Sequence, residues 1–342
     1  MSKSQETVSR GMVIFSVSFY ISTALTMVFV NKWVLNRVPL PFTLLWFQVV
    51  MAVILLHFSS IFGILQLPIL EKKKCIGLLP LIAINVLGLS FNTICLQYVD
   101  ASFYQVARAL VLPFTVLFSF MFLKQKTSYK ILLACLVVCI GFFVGVSSER
   151  LSISFVGIIF GICSSISTAL HAIVIKKSLT VVKGNTLDLV YYNNILSAIA
   201  FMPLIFLFRE QNQYSELFQN NSSGISKTFL IGILVTGFFG FLINVAGFLQ
   251  IKVTSPVTHM ISSAFRGVVQ TILGNLIFGD LLTTGRVGGI FLILFGTCLY
   301  TWIKDQDSKQ NRKQNIVYDK LERGNSFDDR NDNIRDDRNE KA

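Results

Sequence analysis

Ten apolar stretches, each long enough to cross a bilayer as a helix, follow one another along 342 residues with only short connections between them. Their approximate bounds are 12–31, 42–65, 76–97, 101–123, 129–146, 153–175, 187–208, 228–251, 256–278 and 286–303. A helix needs roughly 17–25 residues to span the hydrocarbon, whereas a membrane barrel would show alternating segments of about 10 residues. The pattern predicts an all-α polytopic membrane protein with ten transmembrane helices. Composition excludes the other classes: 53% of the residues are apolar and 14% charged, with a mean hydropathy of +0.64, against about 45–50% and about 25% in soluble proteins. One or two globular cores could not hide that much apolar surface, so a soluble enzyme, a secreted disulfide scaffold and a disordered chain are ruled out. The six cysteines lie in or beside apolar runs and read as packing residues. The first run has no small-residue cleavage pattern within reach and is expected to stay as a signal anchor.

The net charge of +12 could suggest nucleic-acid binding, but its location points elsewhere. Residues 304–342 hold ten basic and ten acidic side chains, so the whole excess lies among the apolar segments. Lysine and arginine in short loops orient a membrane protein with the richer side in the cytosol. The N-terminus and even-numbered loops carry twelve (Lys3, Arg10, Lys72, Lys73, Lys74, Lys124, Lys126, Lys130, Lys176, Lys177, Lys183, Lys252). The odd-numbered loops carry six: Lys32, Arg37, Arg150, Arg209, Lys227 and Arg286. Both termini are therefore expected in the cytosol. The sequons at Asn220 and Asn221 fall in the long seventh loop, on the side where glycans are added. The N-terminus, 1–11, is short and cytosolic. The tail, 304–342, repeats Asp-Asp-Arg-Asn at 328–331 and 336–339, cannot build a core and is expected to be disordered. It ends without a dilysine retrieval pattern.

The ten spans divide into two fives, 12–150 and 151–303. Arg108 lies about eight residues into the fourth span and Arg266 about eleven into the ninth, its counterpart. Each comes after a polar or aromatic stretch and precedes an apolar run that closes at a polar turn. Five is odd, so two such halves must sit in opposite orientation. Inverted repeats are a transporter architecture, with the substrate site near the midplane.

A central arginine costs about 2.5–3.5 kcal/mol on insertion scales, so a buried one points to function. Arg108 and Arg266 are the two that qualify, and no carboxylate lies deep in any span; Asp100, Asp188 and Asp280 are near ends. Two guanidiniums without an internal counter-ion are most easily neutralised by an anionic substrate, and the planar fork matches phosphate bidentately. The same sign argues against a proton-coupled cation exporter. Other polar residues lie on the same spans: Asn85, Asn92, Gln97, His171, Asn244, Gln250, His259 and Gln270. Each alone can bond a neighbouring helix. Tyr191-Tyr192-Asn193-Asn194 combines stacking surface with amide donors and acceptors, a set that suits a nucleobase edge, although tyrosine at a span end also anchors at the interface. No nucleophile–base pair, metal cluster or phosphate-cradling glycine loop is found, which argues against an enzyme. Gly141, Gly145, Gly157 and Gly161 recur at four-residue spacing and read as close helix packing.

Over residues 12–303 the chain resembles the nucleotide-sugar transporters of the drug/metabolite transporter superfamily, and within them the GDP-fucose transporters. The resemblance rests on Val30-Asn31-Lys32, Phe103-Tyr104-Gln105-Val106-Ala107-Arg108, Leu123-Lys124-Gln125, Tyr191-Tyr192-Asn193-Asn194 and Leu249 through His259. It implies guanine recognition by Tyr191, Tyr192, Asn193 and Asn194, where Tyr191 replaces the family's Phe. It also implies phosphate binding on the ninth span, where Arg266 in Ser262-Ser263-Ala264-Phe265-Arg266 stands in place of the family's lysine. Arg108 and Arg266 are thus the expected phosphate ligands, with Tyr104, Asn92, Lys252, His259 and Gln270 as further residues of the sugar or the cavity.

The resemblance and the two arginines together lead to an expected antiporter. It brings GDP-fucose or a related GDP-sugar into the Golgi lumen in exchange for GMP, by alternating access and without a cofactor. Its partners are a nucleotide-sugar, a nucleoside monophosphate and membrane lipid, not nucleic acid; homodimerisation stays open. The alternatives are exchange of another phosphorylated metabolite or nucleotide-sugar, or a non-transporting scaffold or trafficking protein on the same fold. The endoplasmic reticulum is the alternative membrane.

Overall fold

In the computed structural model, which describes residues 10–124, 127–147, 155–219, 223–253, 256–307 and 309–310, every regular element is helical. The helices are α1 (Arg10–Arg37), α2 (Pro41–Ile61), α3 (Lys72–Tyr98), α4 (Tyr104–Ala107), α5 (Val111–Leu123), α6 (Tyr129–Ser147), α7 (Phe155–Val181), α8 (Thr186–Leu207), α9 (Glu210–Gln219), α10 (Ser223–Val253), α11 (Pro256–Phe278) and α12 (Thr284–Asp307). Among the described residues, eight spans are long and apolar enough to cross a membrane, with α4 and α5 taken together as one; Lys227–Ile243 in α10 and Phe265–Phe278 in α11 are shorter apolar stretches. The exterior is itself apolar: Phe143, Phe206 and Phe291 are each more than 60% exposed. Such a surface suits lipid rather than water.

Three features depart from the sequence expectation. The fourth span is not one helix. It turns at Arg108–Leu110, between α4 and α5. Pro113, in the first turn of α5, has no N–H to give and its ring crowds the carbonyl four residues back, so the helix is interrupted just before it. The seventh loop is largely helical, because Glu210–Gln219 forms α9. Asn220 and Asn221 lie outside the described residues. The last helix runs to Asp307, and Lys304 within it donates to Tyr300 Oη at 2.9 Å, so the tail begins later than the apolar run suggests; residues 311–342 lie outside the described residues.

Among α1–α11 the most extensive packing is α3 on α7, α1 on α10 and α2 on α8. The glycines at four-residue spacing do serve close approach. A Cβ on Gly141 would come within 2.8 Å of the Gly289 carbonyl, and one on Gly161 within 2.8 Å of Ala107. The first contact brings the backbones of α6 and α12 together; the second seats α7 against α4. Before α8, Gly184 takes a left-handed φ of 80°, and the Asn185 side-chain Oδ1 accepts from Leu187 N (3.0 Å) and Asp188 N (3.4 Å). This cap satisfies two of the four free N–H groups at the helix start.

Glu210 performs the same task for α2 from a distance. Its carboxylate accepts from Phe42 N (3.0 Å), Thr43 N (2.7 Å) and Thr43 Oγ1 (2.6 Å), and the residue is 3% exposed. Burial, which disfavours the charged form, outweighs these bonds and raises its pKa above the usual carboxylate value.

Two outcomes are expected. Replacing Gly289 with Leu should destabilise the protein by about 1–3 kcal/mol, read as a lower melting temperature in detergent, because neither backbone can withdraw. For Glu210, a raised folded pKa means that its contribution is complete below the ordinary carboxylate range and declines as pH rises through the folded value. Melting curves from mildly acidic to neutral pH should show that decline in wild type, and Glu210→Gln should remove this part of it.

Candidate functional site

The interruption after α4 leaves Arg108 at a helix end rather than within a helix. Its Nη1 lies 3.3 Å from Tyr104 Oη, and its guanidinium carbon is 5.4 Å from the Tyr104 ring centroid. Its Nε is buried without a hydrogen-bond partner. Tyr104 in turn donates to Asn92 Oδ1, which also receives Ser164 Oγ at 3.4 Å. Arg266 approaches the same place from α11. Its neighbour Gly267 is close-packed on the Gln105 side chain, and Tyr104 lies within electrostatic reach of both guanidiniums. Arg266 Nε is likewise buried and unpartnered. Among the described residues neither arginine pairs with a carboxylate.

Two cavities lie beside this cluster. The smaller, about 220 Å³, is lined by Arg108, Asn92, Ile84, Gly88, Ser167 and Thr168, together with Asn85, Leu89 and His171. The larger, about 470 Å³, is lined at one end by Thr186, Val190, Asn193 and Asn194 and elsewhere by Gln48, Leu45, Val49 and Leu81. It shares Asn85, Leu89 and His171 with the smaller one. The two thus adjoin, and this path of neighbouring cavities has the Asn193–Asn194 amides on the larger and the Arg108 guanidinium on the smaller, in the size range of a small-molecule site. At the amide end the Asn193 Oδ1 is buried with no partner, while Asn194 Nδ2 is spent on Val190 O at 2.8 Å. Gln48, which its sequence context does not mark out, is fixed by Nε2 bonds to Asn31 Oδ1 (2.8 Å) and Thr236 Oγ1 (2.9 Å).

The other expected residues are placed differently. Tyr192 is fully buried; its hydroxyl donates to Ile69 O (2.8 Å) and accepts from Glu71 N (2.9 Å), which ties α8 to the start of α3. Tyr191 turns to His57, its Oη 3.3 Å from Nε2. Neither tyrosine lines either of these cavities, because successive helical residues point about 100° apart and only the Asn193–Asn194 side of α8 faces the path. Gln270 is also structural: it is 1% exposed and donates to Ala101 O at 2.8 Å. The side chains of Lys252 and His259 lie outside the described residues.

The sequence expectation of only two buried cations does not hold. Lys32 and Arg286, counted as loop residues, are both buried. Lys32 Nζ donates to the carbonyls of Leu96 (2.9 Å), Gln97 (3.3 Å) and Val99 (2.7 Å), the free carbonyls at the end of α3. Arg286 is wholly buried, bonds Ser102 Oγ (2.5 Å) and Asp100 Oδ2 (3.2 Å), and lies 5.6 Å from the Phe103 ring centroid. Asp280 Oδ2 accepts from Ser102 N at 2.8 Å, and both Asp100 and Asp280 act on Lys32. This cluster fixes the turn between α3 and α4, which leads to Tyr104 and Arg108. The carboxylates near span ends were visible in the sequence; that they fold back onto cations of two other helices was not.

Comparison with known proteins shows what the chain as a whole is similar to. The model of the triose-phosphate transporter family matches residues 11–301. GDP-fucose transporter 1 of Dictyostelium discoideum is 35% identical over 294 residues, covering 83% of this chain and 78% of its own. A Drosophila melanogaster protein named "GDP-fucose transporter, Golgi" is 30% identical over 319 residues, covering 88% and 93%. A solved crystal structure at 13% identity superposes with a TM-score of 0.55 over 87% of this chain and 99% of its own, which extends the likeness to the fold.

The cluster around Arg286 makes a prediction. Arg286→Leu leaves Ser102 and Asp100 without their donor. Because Asp100 is 38% exposed, the expected cost is about 1–3 kcal/mol rather than the full cost of a buried orphaned charge. Arg286→Lys should recover only part of it, since one ammonium cannot reproduce the fork. Melting temperatures of the two variants in detergent check both statements.

Proposed function

Because this chain belongs to the triose-phosphate transporter family, we propose that it is a nucleotide-sugar carrier that exchanges a GDP-sugar, GDP-fucose first among them, for GMP by alternating access. One observation carries the reading: two cavities that adjoin at Asn85, Leu89 and His171, one lined by Asn193 with its unpartnered Oδ1 and the other by the Arg108 guanidinium, which no described carboxylate pairs. A guanine edge presents N–H donors, which the orphaned Asn193 acceptor requires, and phosphates supply the charge that Arg108 and Arg266 lack. A GDP-sugar carries about two negative charges and GMP nearly two, since a phosphate monoester has its second pKa at about 6. Two arginines balance either cargo, and the empty site holds two unpaired cations. That penalty disfavours movement of the unloaded carrier and couples the two fluxes. Asn92 and Tyr104 hold Arg108 in place.

Ten crossings in two inverted halves, 12–150 and 151–303, belong to this proposal. The packing supports it: counting α4 with α5 as one span and passing over α9, exchange of the halves maps α3–α7 onto α10–α1 and returns α2–α8 to itself. These are the most extensively packed pairs among α1–α11. Orientation with both termini in the cytosol is also supported, because moving Lys32 and Arg286 out of the loops leaves twelve basic residues against four. In that orientation the Lys32–Asp100–Asp280–Arg286 cluster seals the lumenal end and must part when the carrier opens there. The Golgi membrane is the proposed site of action, in keeping with the fly relative's name.

Purified carrier in proteoliposomes loaded with GMP tests this. Uptake of GDP-sugars, driven by internal GMP and absent with uridine or cytidine nucleotide-sugars, is the expected result. Arg266→Gln should lower exchange by more than tenfold, since a charge-assisted phosphate contact contributes about 1.5–3 kcal/mol. Transport of phosphorylated three-carbon esters without nucleotide-sugar uptake would assign the carrier to the other substrate class of its family, and wild-type exchange by Arg266→Gln would remove that residue from the site.

A further inference from the structure

Two polar side chains stand where the cavities meet, and neither has a task in binding base or phosphate. Asn85 on α3 and His171 on α7 line both cavities, with Leu89 as the third shared residue. The Asn85 Nδ2 donates to Ser197 Oγ at 3.1 Å, which fixes the amide with its carbonyl oxygen free to accept from the path. No described group bonds the ring of His171. A neutral imidazole offers one donor and one acceptor. Leu89 supplies an apolar wall between them.

We propose that Asn85 and His171 form a ribose subsite that reads the 2′,3′-diol of the bound nucleotide. The inference rests on the nucleotide-carrier reading and deepens it. With a base held by the Asn193–Asn194 end and phosphates held by Arg108, the segment that lies at the seam is the sugar joining them. A vicinal diol carries two hydroxyl donors and acceptor lone pairs, which complement one carbonyl acceptor and one donor–acceptor ring. The two residues sit on α3 and α7, the most extensively packed pair among α1–α11, so the spacing between them is set by the scaffold. A site that bonds a substrate hydroxyl rejects the analogue lacking it, because its own polar groups are left unpaired. The subsite therefore makes the carrier selective for ribonucleotides over deoxyribonucleotides, whichever sugar is carried at the far phosphate.

Competition against GMP exchange in proteoliposomes tests this, with GMP, 2′-deoxy-GMP and 3′-deoxy-GMP as competitors. Wild type should require about tenfold more of each deoxy analogue, the equivalent of one hydrogen bond of about 1.4 kcal/mol. His171→Ala should weaken GMP by a similar factor while leaving the deoxy analogues nearly unchanged, so that discrimination collapses. Asn85→Ala should collapse it for at least one of the two hydroxyls, and this second variant carries the test if the first does not fold. Equal competition by all three nucleotides in wild type, or full discrimination retained in both variants, overturns the subsite while leaving a nucleotide carrier standing. If uridine nucleotides compete and GMP does not, the guanine assignment fails, and the UMP against 2′-deoxy-UMP comparison decides the subsite in the same way. If no nucleotide competes, the carrier reading itself fails and the subsite with it.

Discussion

The bond from the Lys32 ammonium to the carbonyls of Leu96, Gln97 and Val99 is the constraint on which the site depends. A helix that ends within protein leaves its last carbonyls without intrahelical partners, and buried ones need a donor from elsewhere in the chain. A lysine on a neighbouring helix meets that need with three donors. The next turn, Val99–Phe103, is then fixed from outside by Arg286, Asp280 and Gln270. Because this turn leads directly into α4, it determines where Tyr104 and Arg108 stand.

Arg108 gains its character from that position. Within a continuous helix its guanidinium would have to share space with the preceding turn. At the interruption before Pro113 it reaches the Tyr104 hydroxyl and the cavity while its Nε stays buried. Interrupted helices that bear charge beside a cavity are tolerated only where the freed backbone is covered by protein. Here the α7 stripe provides the cover, with Gly161 allowing Ala107 to approach. A glycine spacing that reads only as packing is thus part of what holds the proposed phosphate site in shape.

The buried cations separate into two kinds by their partners. Lys32 and Arg286 are committed to carbonyls, a hydroxyl and a carboxylate, and tie α1 and α12 to the end of α3 and the turn after it. Arg108 and Arg266 have no carboxylate among the described residues and retain unpartnered Nε atoms. Satisfied polar groups stabilise one arrangement, whereas unsatisfied ones favour a ligand. The same distinction divides α8, where the Tyr192 hydroxyl is fully bonded to the backbone beside α3 and the Asn193 side-chain Oδ1 has no partner.

The sequence by itself determined that the chain is all-helical and membrane-embedded, since mean hydropathy and segment length depend only on composition and order. It also made Arg108, Arg266 and the Asn193–Asn194 pair conspicuous, because charge and adjacent amides in apolar runs are rare and expensive. It could not separate Tyr191 and Tyr192 from the amides after them, because a four-residue motif covers every side of a helix and only packing selects the side that faces the cavity. Nor could it distinguish Lys32 and Arg286 from ordinary loop charges, since the carbonyls and carboxylates that hold them come from distant segments, up to 186 residues away. Which cations are spent on the fold and which remain free for a substrate is a matter of partners. Partners across helices exist only once the helices have packed.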